Sequence, residues 1–297
     1  MQNPYLALFI SIISVSFASI FILSIQVPPL TISFYRLLFT TLIILPFILL
    51  NKKRRQELTA LPKKSLFLMI LIGLILAAHF SLWITSLTMT SVASSVILVT
   101  SHPILVAPLS YFLLKEKLSA INLLGILISV SGIIVLVLGN YGFTSITLDS
   151  LEGNILAMLG GMGAGLYILG GRKLRKTVSI FPYAFIVYSV GTITLLIICL
   201  ITTSPLLTIG SRDLGIILLM ALISGIFGHT LYNWSLEYIR ASVASVFLLG
   251  EPIGSSLLAY IIPWVGQQPS TFTLIGGGIA LIGIYLAAKR PVPLKVI

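Results

Sequence analysis

Residues 91–110 read SVASSVILVTSHPILVAPLS, an apolar stretch that contains one histidine and two prolines. Later in the chain a second version, SVASVFLLGEPIGSSL, carries Glu251 and Pro252 where the first carries His102 and Pro103. Both features disfavour a plain apolar helix, because proline removes a backbone hydrogen bond and an ionisable group is costly to desolvate. Their recurrence indicates a role that is shared by two related segments of the chain.

The sequence around these segments is too apolar for a soluble domain. Of the 297 residues, 58% are hydrophobic and only 8% are charged, whereas soluble domains have about 25% charged residues. Residues 65–114 contain no Lys, Arg, Asp or Glu, which leaves room for two transmembrane helices of about 20 residues each. The apolar runs are continuous rather than alternating, so helices and not barrel strands are predicted. We therefore expect an all-α integral membrane protein.

Apolar runs between polar or turn-forming breaks predict ten transmembrane helices. Their approximate ranges are 4–24, 30–50, 66–88, 91–114, 119–139, 153–171, 181–202, 213–236, 241–265 and 271–289. No basic residue precedes Arg36, so the first run lacks the charged start of a cleaved signal peptide and is interpreted as a retained helix. The single cysteine, Cys199, is interpreted as a packing residue.

The net charge of +11 is interpreted as a sign of membrane topology. If the N-terminus is cytoplasmic, all of the 18 Lys and Arg residues except Arg36 and Arg212 fall in cytoplasmic loops or in the C-terminal tail. The positive-inside rule therefore predicts a multi-pass protein of the cytoplasmic membrane with both termini in the cytoplasm. The basic residues form no surface suited to nucleic acid, which is not expected as a partner.

The two halves of the chain repeat at an interval of 151 residues, the distance from Ser91 to Ser242. Gly125 matches Gly276 and Gly132 matches Gly283 at this interval, and His79 matches His229 at an interval one residue shorter. Because each half has an odd number of helices, the second enters the membrane from the opposite side. The sequence thus predicts two inverted five-helix repeats, residues 1–146 and 147–297. Alignment by SVAS pairs His102 with Ile253, and the preferred alignment by proline pairs it with Glu251.

Several segments together resemble the EamA-type family of the drug/metabolite transporter superfamily. They are PPLTISFYR (28–36), residues 103–118 ending in LLKEKL, LLGILISVSG (123–132), GNILAMLGG (153–161), GEPIGSSLLAY (250–260) and LIGGGIALIGIYL (274–286). The resemblance implies ten-helix exporters of small metabolites, often amino acids or related compounds, with a central cavity that opens alternately to each side and no cofactor. One departure is Gln267, which stands where the first half has Glu116.

Five ionisable residues fall inside the predicted helices: Arg36, His79, His102, His229 and Glu251. A charged group at the centre of a membrane helix costs at least ~2.5 kcal/mol, so these side chains are expected to face the bundle interior. His102 and Glu251 each lie roughly ten residues into a helix, near the membrane midplane, where inverted-repeat transporters place their sites. The adjacent Pro103 and Pro252 are predicted to kink their helices beside a cavity, or else to bend them for packing alone.

Candidate binding or proton-coupling residues follow from helical spacing and from burial. His229, Tyr232 and Asn233 share one helix face. His79 and Trp83 share another, and each face either lines a cavity or satisfies its polar groups helix to helix. Glu251 is expected to bind an amine or to carry a proton, the alternative being a neutral acid bonded to a carbonyl. Arg36 either attracts substrate carboxylates or extends to lipid headgroups.

Two other classes of protein stay open. His79, His102, His229 and Glu251 provide the ligand types of a zinc site, although no HExxH or paired-cysteine spacing supports a metal-dependent intramembrane enzyme. A lipid-handling or structural membrane protein is the second alternative. No P-loop is present, so transport is expected to run down a gradient or to couple to protons. Small residues such as Gly125 and Gly276 fit either a homodimer face or an internal helix contact.

Overall fold

The computed structural model describes residues 3–90, 92–141, 151–263 and 268–289, and within these ranges every regular element is helical. Among the described residues, nine helices are long and apolar enough to cross a membrane, and a shorter apolar helix covers 98–114. The predicted all-α membrane fold with ten transmembrane helices is therefore confirmed. The prediction about Gln267 concerns a position outside the described residues.

The first half contains seven helices. They are α1 (Pro4–Leu23), α2 (Pro29–Leu49), α3 (Lys52–Thr59), α4 (Lys63–Met89), α5 (Val92–Thr100), α6 (His102–Leu114) and α7 (Ala120–Tyr141). The second half contains seven α-helices and one π-helical segment. They are α8 (Leu151–Leu174), α9 (Ile180–Ile201), α10 (Ser211–Met220), the π-helical segment Ala221–Thr230, α11 (Leu231–Ser235), α12 (Ala241–Phe247), α13 (Gly250–Ile261) and α14 (Thr271–Ala288).

Two of the predicted continuous helices are broken at their centres. The fourth is divided between α5 and α6 at Ser101, and the ninth between α12 and α13 at 248–249. Pro103 and Pro252 follow these breaks and have no N–H to donate to the carbonyl four residues earlier. At each break the backbone forms a hydrogen bond that spans three residues instead of four. Ile104 N donates to the Ser101 carbonyl and Glu251 N to the Leu248 carbonyl, each over 3.0 Å.

Helix α3 is an element that apolarity could not reveal, because its sequence KKRRQELT is almost entirely polar. Asn51 caps its start by accepting a hydrogen bond of 3.1 Å from Arg54 N. The Arg54 guanidinium lies 3.7 Å from the centre of the Phe181 ring. This contact holds the helix against the start of α9.

The two halves exchange contacts symmetrically. Helix α1 packs against the π-helical segment, α11 and α13 of the second half, and its counterpart α8 packs against α4, α5 and α6 of the first half. Two further cross-half pairs join counterparts, α2 with α9 and α7 with α14. Each half thus completes the core of the other.

Two contacts join residues that lie 151 positions apart, the interval of the sequence repeat. The Thr41 and Thr192 hydroxyl oxygens are 3.4 Å apart, and Ser129 Oγ donates to the Ala280 carbonyl over 3.3 Å. A residue contacts its own symmetry counterpart only beside the symmetry axis. These pairs are therefore the contacts expected next to a pseudo-two-fold axis that passes between α2 and α9 and between α7 and α14.

Helices α7 and α14 touch through their backbones. A Cβ atom at Gly125 would lie 2.3 Å from Ala287 N, and one at Gly276 would lie 2.4 Å from Leu136 N. Only glycine permits such an approach at these positions. The small residues for which the sequence left a dimer face or an internal contact open therefore form an internal contact between helices. A homodimer stays a prediction.

The loops that were expected to share one side of the membrane meet in the structure. At one end of the bundle, named here the basic rim (51–63, 115–119, 175–180 and 236–240), Glu57 accepts hydrogen bonds from Ser179 N and Oγ at 2.7 and 2.6 Å. At the opposite rim (24–30 and 202–210), Thr31 Oγ1 donates to the Pro205 carbonyl over 3.0 Å. The pattern of loop charges therefore corresponds to two distinct ends of the molecule.

Candidate functional site

Arg36 is buried in the centre of the bundle, with 7% of the residue exposed. Its position on α2 directs the side chain inward, so it does not extend to lipid headgroups. The guanidinium carbon lies 5.1 Å from the centre of the Phe80 ring on α4, an arrangement that favours a cation. Arg36, Phe80, Tyr188 and His229 line a small pocket.

The π-helical segment brings His229 to this pocket. Within it, Thr230 Oγ1 donates to the Gly225 carbonyl five residues earlier, over 3.0 Å. Ser224 Oγ donates to the Ser14 carbonyl of α1 over 2.8 Å, which fixes the segment against the first half. π-Helical turns are rare and frequently occur at functional sites. This geometry was not predictable from the sequence, since the apolar run of the eighth helix is continuous.

His79 and its neighbours form an aromatic layer beside the pocket. His79 Nδ1 is 2.8 Å from the Gly160 carbonyl of α8, and because a carbonyl only accepts, this nitrogen carries the proton. The imidazole stacks on Trp83 with ring centres 6.0 Å apart. Phe80 meets His229 edge to face at 5.9 Å. The predicted pair of His79 and Trp83 therefore shares one environment with His229.

Asn233 connects the pocket to two tyrosines. Its Nδ2, which carries two hydrogens, lies within hydrogen-bond distance of three oxygen atoms, which are the Tyr167 hydroxyl, the Tyr188 hydroxyl at 3.3 Å and the His229 carbonyl at 2.7 Å. Sequence reasoning missed Tyr167 and Tyr188. A signal was present, because a tyrosine inside an apolar helix needs a hydrogen-bond partner for its hydroxyl group.

Glu251 and His102 lie at the starts of the two half-helices. Glu251, in the first turn of α13, is partly exposed and interacts electrostatically with Arg36. His102 begins α6, is 7% exposed, and its Nδ1 has no hydrogen-bond partner within the described part of the chain. His102 interacts with His79, and His79 with Arg36 and His229. The structure therefore brings the five predicted ionisable residues into one neighbourhood, the central cluster.

Tyr232 is separate from the central cluster although it shares a helix face with Asn233. It is 2% exposed and belongs to the main hydrophobic core, and its hydroxyl has no hydrogen-bond partner among the described residues. Pro103 is buried beside the break between α5 and α6, and Pro252 is partly exposed beside the break between α12 and α13.

A second polar group closes the basic rim. Glu116 Oε1 accepts from Arg172 Nε at 2.7 Å, and both side chains are almost fully buried. Glu116 Oε2 accepts from Ala241 N at 2.9 Å. The other end of the Arg172 guanidinium donates to the Leu236 and Glu237 carbonyls, each at 2.7 Å. This rim cluster joins the loop after α6 in the first half to α8, α11 and α12 in the second.

Arg175 and Arg240 extend the rim cluster. Arg175 forms an ion pair with Glu237 and donates to the Asn233 carbonyl over 3.2 Å, which links the rim to the central cluster. Arg240 donates to the Lys117 carbonyl over 2.7 Å. Burial lowers the pKa of both guanidinium groups, and the carboxylates of Glu237 and Glu116 oppose this effect. The sequence had assigned these arginines to topology alone.

In the part of the chain that the structure describes, no three His, Cys, Asp or Glu side chains are grouped closely enough to hold a metal ion. The three histidines and Glu251 share the central cluster without forming such a group. The metal-dependent enzyme that the sequence left open gains no support from this arrangement.

Paired five-helix halves, discontinuous helices and a polar cluster where the halves meet define a membrane transporter architecture. The chain belongs to the EamA-like transporter family, whose profile matches residues 2–138 and again residues 151–289. Each match falls within one of the two predicted repeats.

Relatives of known name agree with this assignment. An uncharacterized transporter of Archaeoglobus fulgidus is 23% identical over 96% of both chains. The uncharacterized transporters YyaM and YdfC of Bacillus subtilis are 24% and 23% identical, over 74% and 86% of this chain and 72% and 80% of their own. A solved crystal structure superposes with a TM-score of 0.78 at 19% identity, over 96% of each chain, and shows the same fold.

Proposed function

We propose that this membrane transporter is a secondary exporter of small metabolites, namely amino acids or related compounds, that works by alternating access across the cytoplasmic membrane. The observation that carries the proposal is the central cluster, in which Arg36, His79, His102, His229 and Glu251 converge between the two halves. Ionisable groups inside a membrane bundle are costly in free energy, and they commonly mark cargo or proton pathways. Binding of cargo or transfer of protons accounts for the presence of these five residues.

Glu251 is the residue proposed to couple transport to a second charge. It stands at the start of a half-helix, is accessible in part, and is near a permanent cation in Arg36. A carboxyl group in such a place can bind a cargo amine when ionised or can carry a proton when the amine is absent. Competition between the two would exchange protons for cargo.

The orientation proposed from the basic residues assigns the basic rim and both termini to the cytoplasm. In the structure the buried Glu116–Arg172 pair joins the two halves at this rim. We propose that a state with this contact intact releases cargo to the outside. Loading from the cytoplasm requires the rim cluster to separate, while the backbone contact between α7 and α14 stays intact.

The test is efflux from proteoliposomes loaded with a panel of radiolabelled amino acids and amines, with and without a proton gradient. We expect at least one compound to leave faster with the wild-type protein than with empty liposomes, and the proton gradient to lose its effect in Glu251→Gln. Glu152→Gln is the matched control, because Glu152 is exposed in the first turn of α8. Efflux by Glu251→Gln that keeps its proton dependence would exclude the proposed role of Glu251. Absence of efflux for every compound would contradict the exporter.

A further inference from the structure

Arg36 differs from the other deeply buried arginines of this protein in its lack of a partner. Arg172 and Arg175 each donate to a carboxylate and to backbone carbonyls. Arg36 is also more than nine-tenths buried, yet no hydrogen bond or ion pair between described residues involves its guanidinium. Buried polar groups are hydrogen-bonded in the great majority of cases, and charged ones cost most when they are not. The geometry therefore calls for a partner from outside the chain.

The surroundings of Arg36 suit an anionic partner with an apolar portion. Its guanidinium rests against the Phe80 ring and borders a small pocket that Tyr188 and His229 also line. Leu37 and Leu76 contribute apolar walls. A guanidinium presents its N–H donors in a planar fork that matches the two oxygens of a carboxylate. The pocket thus combines one fork of donors with a hydrocarbon lining.

The balance of charge selects among anions. Arg36 supplies a single positive charge, and Glu251 lies within electrostatic range to oppose a further negative one. In a site of low dielectric constant, a dianion would retain uncompensated charge. A singly charged carboxylate with a small apolar portion satisfies both the donors and the walls, whereas a doubly charged phosphate does not.

We infer that Arg36 binds the carboxylate group of the cargo in the pocket between α2, α4, α9 and the π-helical segment, an assignment that rests on the proposed transport function and names its substrate class. Arg36 is then the residue that selects organic acids, including amino acids, over amines and neutral compounds. Glu251 remains available for an amine or a proton.

The test compares matched compounds for binding to the purified full-length protein, measured as the shift of its thermal unfolding midpoint with ligand concentration. One series is leucine, 4-methylpentanoate, leucinamide and isopentylamine, and equivalent alanine and phenylalanine series follow. Inorganic phosphate is the competing anion. In at least one series we expect the compounds with a carboxylate to bind about tenfold or more tightly than the amide and the amine, the usual effect of a lost charge-assisted hydrogen bond. Phosphate is expected to bind more weakly than the carboxylates.

Variants connect this preference to Arg36. Arg36→Gln should bind acid and amide with similar affinity, and Arg36→Lys should keep part of the preference, because it retains the charge without the planar fork. Arg212→Gln is the control, since Arg212 is an exposed arginine on α10 and its loss should leave the preference unchanged.

Three results would overturn the inference: equal binding of acid and amide by the wild-type protein, binding of no carboxylate in any series, or a full acid preference in Arg36→Gln. The first two need no variant and stay decisive if Arg36→Gln does not fold. Efflux of amines or neutral compounds in proteoliposomes alongside any of these results would preserve the proposed transport function and remove only the role of Arg36.

Discussion

Glu116 is the single residue on which the closed basic rim depends most directly. Its carboxylate neutralises Arg172 and accepts from the backbone of Ala241 at the start of α12. Removing one member of a buried ion pair leaves the other charge uncompensated, which typically costs about 3–5 kcal/mol. The rim cluster is therefore a stabilising contact, and in the proposed alternating-access cycle it is also the contact that loading has to break.

We predict that Glu116→Ala lowers the free energy of unfolding by about 3 kcal/mol, measured by denaturation of the purified protein in detergent micelles. The double variant Glu116→Leu/Arg172→Leu should lose less, because it leaves no buried charge. Glu152→Ala, at an exposed position, should change stability by less than about 1 kcal/mol. Equal effects of Glu116→Ala and Glu152→Ala would show that the buried pair contributes nothing.

At the scale of residues, ionisable side chains inside apolar runs were predictable from the sequence. Polar contacts between residues that are far apart in the chain were not. Arg36 and Glu251 stood out because ionisable groups are rare in apolar runs. Arg172 lies 56 residues from Glu116, among basic residues that topology alone explains. Tyr167 and Tyr188 were recognisable as hydroxyl groups that need a partner, but only the folded chain shows that this partner is Asn233.

At the scale of elements, the contact between α7 and α14 is the most exacting, and glycine substitutions test it. Gly276→Ala would place a Cβ 2.4 Å from Leu136 N, whereas Gly278→Ala on the same helix meets nothing within 4 Å. We predict that Gly276→Ala destabilises the protein by about 1–3 kcal/mol through overpacking.

The control Gly278→Ala should be neutral or stabilising by up to about 1 kcal/mol, because alanine favours a helix more than glycine does. Unfolding in detergent micelles measures both variants under the same conditions. If Gly276→Ala were as stable as Gly278→Ala, the two helices could not pack through their backbones as described.

Elements were predictable from the sequence to the extent that they are local and apolar. The transmembrane helices were found because each needs its own apolar run. Helix α3 was missed because it is charged, and the π-helical segment because nothing in an apolar run distinguishes it from an α-helix. The breaks at Ser101 and at 248–249 lie beside Pro103 and Pro252, where the sequence had indicated kinks.

At the scale of the whole molecule, the proposed orientation predicts the result of cysteine labelling in intact cells. In a Cys199→Ser background, Thr208→Cys on the opposite rim should react with a membrane-impermeant maleimide added outside. Lys64→Cys, near the basic rim, should react only after the membrane is permeabilised, and both positions are exposed. The reverse pattern would place the basic rim outside the cell.

The repeat is the property of the whole molecule that the sequence conveyed best. An interval of 151 residues between matched positions reappears as the contacts of Thr41 with Thr192 and of Ser129 with Ala280. Which half contacts which, and how the rim closes, arises from packing between residues that are far apart in the chain. The proposed cargo site depends on the same packing, because the pocket at Arg36 is assembled from four separate helices.

Counterflow is the most direct test of a carrier whose binding site opens alternately to the two sides of the membrane. Proteoliposomes with the wild-type protein are loaded with excess unlabelled compound, diluted, and supplied with a trace of the same labelled compound outside. For the cargo, we expect the labelled compound to accumulate transiently inside the proteoliposomes above its equilibrium level. Each outward step leaves the binding site open to the outside, where it takes up label for the next inward step. A flux of label that never exceeds equilibrium, for every compound that the protein moves, would contradict alternating access.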